Sequence, residues 1–110
     1  MENQEAKDRL LKIAKKSKEG LDPNWVSAEL LAVREMVKVE KDPAVIKILR
    51  LASEYIQDNE NFDLGFFEGE EEEMDISEFD YLIQLIVQSD KPANREEITT
   101  FRDLLWEALY

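Results

Sequence analysis

Apolar residues recur along this chain at helical spacing in five blocks, separated by capping and turn residues. In the first, over residues 2–19, Ala6, Leu10, Ile13, Ala14 and Ser17 form a narrow stripe with Leu11 beside it, the mark of an amphipathic helix. Glu2 and Glu5 near its start and Lys15, Lys16 and Lys18 near its end suit the helix dipole, and Gly20 is the natural stop. The second block, 23–40, opens on Asp22-Pro23, an N-cap followed by a proline whose missing N–H is no loss at the first helical position. It carries two apolar rows, Val26, Leu30, Val33, Val37 and Ala28, Leu31, Ala32, Met36, Val39, which predicts a wide buried face and a central helix. Trp25 in its first turn is expected to pack at the bundle edge.

Asp42-Pro43 repeats the start signal, and the helix over 43–57 is expected to bury Val45, Ile48, Leu49, Ala52 and Ile56. The shared cap reads as an α-hairpin, because two copies are too few for a repeat array. Ser77, three residues before Asp80, starts a fourth helix over 77–89 with Phe79, Leu82, Ile83, Ile86 and Val87 inward. Asn94 and Glu97 have the spacing of a capping box, which predicts a last helix over 95–109 carrying Ile98, Phe101, Leu104, Leu105, Ala108 and Leu109. The pattern predicts an all-α fold: one domain over 1–110, an irregular antiparallel bundle of about five helices, with helices 2, 3 and 4 making most of the core.

Charge changes this picture in one place. Residues 51–90 hold thirteen acids and no Lys or Arg, whereas the flanking segments nearly balance, so the net charge of −12 resides in the middle of the chain. There the connector over 59–75, NENFDLGFFEGEEEEMD, joins helices 3 and 4. Glu54, Asp58 and Glu60 crowd the end of helix 3, where the dipole favours bases, a local rule broken without visible compensation. The candidate partner-binding residues are Phe62, Phe66, Phe67, Glu68, Glu70, Glu71, Glu72, Glu73 and Asp75. Two readings of the phenylalanines stay open: they fold back to plug the bundle end, or at least one faces outward as an anchor rimmed by carboxylates.

The chain has neither Cys nor His, which excludes disulfides, thiolate metal sites and the Ser–His family of nucleophile activation. No P-loop or dinucleotide fingerprint is present, and no enzyme, cofactor or metal is expected. Read as a twelve-residue loop from Asn59, the positions Asn61, Asp63, Phe66 and Glu70 resemble a calcium-binding EF-hand loop, but Leu64 stands where its sharp turn needs glycine. That loop gives the alternative reading, a divalent-cation-responsive module. The Lys-rich face of helix 1 (Lys7, Arg9, Lys12, Lys15, Lys16, Lys18) reads as a solvated surface, because no aromatic interleaves the bases. No leader or spanning segment is recognisable, and a cytoplasmic address is expected. With a pI near 4.4, direct nucleic-acid or membrane binding is not expected. The primary expectation is a non-enzymatic module that recognises a basic protein or peptide, as an inhibitor or immunity-type protein or an adaptor. Its oligomeric state is open, a monomer being favoured.

Overall fold

The computed structural model describes residues 1–70 and 75–110. Among these, the chain is all-helical: α1 (Gln4–Ser17), α2 (Pro23–Val37) with a 3₁₀ turn Lys38–Glu40, α3 (Pro43–Asn59), α4 (Glu78–Val87) and α5 (Pro92–Leu109). Local chemistry sets the starts. Asn3, Asp22, Asp42 and Ser77 each accept a hydrogen bond from the backbone N–H three residues on, satisfying one orphan donor of the helix they open. Helix α5 is the exception. It begins at Pro92, three residues before the expected start, with no side-chain cap on Lys91. The expected capping box does not form: Asn94 Nδ2 donates to the Gln88 carbonyl at 2.9 Å, and the Glu97 carboxylate is held by Tyr81. Proline at the first position is already pre-set for the helix, so Asn94 is free to tie α5 back to the end of α4.

The helices close into a ring. α1 packs on α2, α2 on α3, α3 on α5, α5 on α4 and α4 on α1. Helices α2, α3 and α4 supply most of the buried apolar residues, as expected, while α3 takes α5 and not α4 as its second principal neighbour. Helix α2 is also less central than its two apolar rows suggest. Val26, Leu30, Val33 and Val37 are buried, whereas Leu31 is 42% and Val39 77% exposed, because the second row is rotated off the face that meets α1 and α3. The buried face of α3 is as the pattern predicts and gains Leu51, Ser53 and Tyr55. In α4 the buried stripe takes Leu85 in place of Val87, and in α5 it is narrower than the periodicity suggests, because Leu104, Ala108 and Leu109 are not fully buried.

Two polar contacts fix the register of the ring. Ser27 and Ser53 face each other between α2 and α3, Oγ to Oγ at 2.7 Å, and Ser53 Oγ also donates to the Ser27 carbonyl at 3.1 Å. Small side chains let these helices approach closely without leaving a buried hydroxyl unpaired. The Arg95 guanidinium grips both oxygens of Asp42 at 2.6 and 2.8 Å and joins the first turn of α5 to the cap of α3. That geometry holds the Asp42 carboxyl below its usual range, chiefly through the Arg95 hydrogen bond.

The ring order explains the long connector. α3 and α4 each pack on α5 and are not principal neighbours of each other, so the chain between them cannot close as a tight hairpin. A two- to eight-residue hairpin loop suffices only for adjacent helices.

Candidate functional site

Helix α3 runs two residues past the expected Gln57 and stops at Glu60, whose backbone is left-handed at φ +61°. Glycine or asparagine is the usual occupant of such a C-terminal position, so the carboxylate there is held against local preference. The connector then turns inward. Tyr55 Oη donates to the Asp63 carbonyl at 3.1 Å. Burial, followed by the charges of Asp63 and Glu78, pushes the Tyr55 phenol above its ordinary value.

The main tether is Glu78, the first residue of α4. Its Oε1 accepts from the backbone N–H groups of Leu64 and Phe66, both at 3.1 Å, and its Oε2 accepts from that of Gly65 at 3.3 Å. Three successive amides thus form a concave nest around one carboxylate. Gly65, at φ +77°, supplies the left-handed backbone that this turn requires. The turn is built for an anion and not for a cation: N–H groups, not carbonyls, line it, and both oxygens of the Glu78 carboxylate are taken up by them. Asn59 and Asn61, two further positions of the calcium-like pattern, donate their amides to the carbonyls of Tyr55 and Asn59. Among the described residues, no group of three or more acidic side chains is gathered to hold a metal ion.

The three connector phenylalanines are all half-buried and join one aromatic cluster. Phe62 meets Tyr55 and Phe79 edge-on, with centroids at 5.8 and 5.4 Å. Phe66 stacks on Phe101 of α5 at 3.9 Å. Phe67 lies furthest out, touching Phe66 and Tyr81 edge-on at 5.5 and 5.4 Å. Phe62 and Phe66 pack against the core as the plug arrangement requires. Phe67 is the member not packed against that core.

Glu68, Glu70 and Asp75 are exposed, as are Asp58, Glu60 and Asp63. Among the described residues none of the six forms an ion pair, whereas Glu29, Asp42 and Glu54 elsewhere each hold an arginine. Glu71, Glu72 and Glu73 lie outside the described residues. On the basic side, Arg9 pairs with Glu29, Lys18 reaches Asp80 at 3.7 Å, and Lys16 lies over the Trp25 ring. Trp25 is half-buried at the bundle edge, as expected.

One feature escapes sequence reasoning. A cleft of about 300 Å³ opens between the end of α1 and the connector, with Ala14, Leu21, Phe62 and Phe79 as apolar walls. Ser17, Glu60, Asn61 and Ser77 supply its polar groups. The Ser17 Oγ is buried with no hydrogen-bond partner among the described residues. The only hint in the sequence is Ser17 on the otherwise apolar stripe of α1. Compared with protein-family models, curated proteins and solved structures, the chain matches none of them.

Proposed function

We propose that this chain is a non-enzymatic binding module that recognises a basic protein or peptide through the acidic end of its bundle. The observation that carries the reading is the pairing state of the acids at the end of α3 and in the connector. Asp58, Glu60, Asp63, Glu68, Glu70 and Asp75 are exposed and without ion pairs among the described residues, on backbone tethered by Glu78 and by the aromatic cluster. Unpaired surface charge of one sign raises the encounter rate with an oppositely charged partner. A tethered loop loses less conformational freedom on binding than a free tail. Phe67, at the outer edge of the cluster, is the aromatic best placed to contact such a partner.

The test compares two neutralised variants of equal charge change against a lysine-rich peptide probe. Converting Glu68 and Glu70 to Gln is expected to slow association and flatten its salt dependence. Converting Glu96 and Glu107 on the exposed side of α5 to Gln is expected to do neither. Equal effects would mean that only net charge is sensed and would remove the connector as a site.

A further inference from the structure

We infer that the cleft between α1 and the connector receives an arginine side chain of the basic partner. The inference rests on the acidic-surface reading and adds its recognition chemistry. At about 300 Å³ the cleft is at the small end of the range for ligand pockets, suited to one long side chain. Its walls are two phenylalanine rings, Phe62 and Phe79, with Leu21 beside them. Its rim holds the Glu60 carboxylate, and the nearby Lys18 is engaged with Asp80. This sequence of surfaces, apolar and aromatic and then anionic, matches an arginine from stem to tip. The methylenes lie along the apolar wall, the planar guanidinium stacks on a ring, and its N–H groups meet the carboxylate. Ser17, whose Oγ has no partner among the described residues, lines the same cleft and can accept from those donors. A lysine brings the same charge but a compact, strongly hydrated ammonium that stacks less well. A leucine would leave Glu60 and Ser17 without a partner.

The backbone at Glu60 gives the test its control. At φ +61° a glycine is less strained than glutamate, so Glu60→Gly is expected to raise the melting temperature while removing the rim carboxylate. The probes are three blocked peptides, acetyl-Lys-Lys-X-Lys-Lys-amide with X as Arg, Lys or Leu, titrated into the full chain and followed by amide chemical shifts. The arginine peptide is expected to bind at least five-fold tighter than its equally charged lysine counterpart, with saturating shifts at Leu21, Phe62 and Phe79. Glu60→Gly should abolish that preference in a protein that melts higher than the parent. If Arg and Lys peptides bind equally and both weaken in the Glu68/Glu70→Gln variant, the arginine inference falls and the acidic-surface reading stands. A leucine peptide that binds tightest also overturns the inference. If no peptide shifts residues 58–70 or 75–79, both readings fall.

Discussion

Phe66 lies flat on Phe101, with ring centroids 3.9 Å apart and planes within 3° of parallel, and so fastens the connector to α5. Phe67 touches only the outer side of the same cluster. The two neighbours should therefore separate on truncation. Phe66→Ala is expected to destabilise the fold by about 2–3 kcal/mol, somewhat below the value for a fully buried ring. Phe67→Ala should remove about 1 kcal/mol or less. Urea denaturation measures both, and equal losses would show that Phe67 is as structural as Phe66.

The Glu78 nest makes a prediction for hydrogen exchange. The amides of Leu64, Gly65 and Phe66 belong to no helix, yet all three donate to one carboxylate. They should exchange more slowly than that of the exposed Gly69. Glu78→Gln replaces one acceptor oxygen with a donor facing these N–H groups. That change should release their protection and lower stability by about 1–3 kcal/mol.

Tyr81 donates to Glu97 Oε2 at 2.6 Å. The hydrogen bond, followed by burial, pushes the phenol up to about 12. A phenolate cannot donate and would repel Glu97, so folding favours the protonated ring. Its contribution to stability is present in full below about pH 10, the ordinary tyrosine value, and is lost as pH rises through about 12. A tyrosinate absorbance titration should show a late component that is lost in Tyr81→Phe and moved to lower pH in Glu97→Gln.

The Asp42–Arg95 pair acts at the other end of the scale. Arg95 lowers the folded value of Asp42, so its stabilisation is present above about pH 4 and is lost as pH falls through that lowered value. Asn caps a helix about as well as Asp, so Asp42→Asn removes the ion pair and keeps the cap. It should lose about 0.5–1 kcal/mol at pH 7, as a half-buried bidentate pair implies, and almost nothing at pH 2. A loss of equal size at both pH values would place the effect in the cap instead.

Much of the fold is legible in the sequence because its signals are local. Asp22-Pro23, Asp42-Pro43 and Ser77 mark helix starts by side chains that bond three residues away, and period alone picks out Val45, Ile48, Leu49, Ala52 and Ile56. What local signals miss is partnership. Asn94 and Glu97 have the right spacing for a capping box, but Gln88 and Tyr81 recruit them first. Leu31 and Val39 have helical spacing, but α2 has neighbours on only part of its circumference. The acidic segment is visible as composition. Its tether, Glu78, reads in the sequence as one more acid, because the amides it gathers lie in the connector before it. The cleft depends on α1 and the connector meeting across the chain, and nothing local encodes that.

The ring order of the helices also sets a sequence of assembly. α2 with α3 and α4 with α5 are chain neighbours joined by short turns, so they can pair early at little loop-closure entropy. The connector has no resting place until Phe101 and Glu78 are both in position, and it should settle last, with native-state opening there easier than global unfolding. A partner that grips this end would therefore bind only chains whose folding is complete, and by mass action it would hold shut the region that opens first.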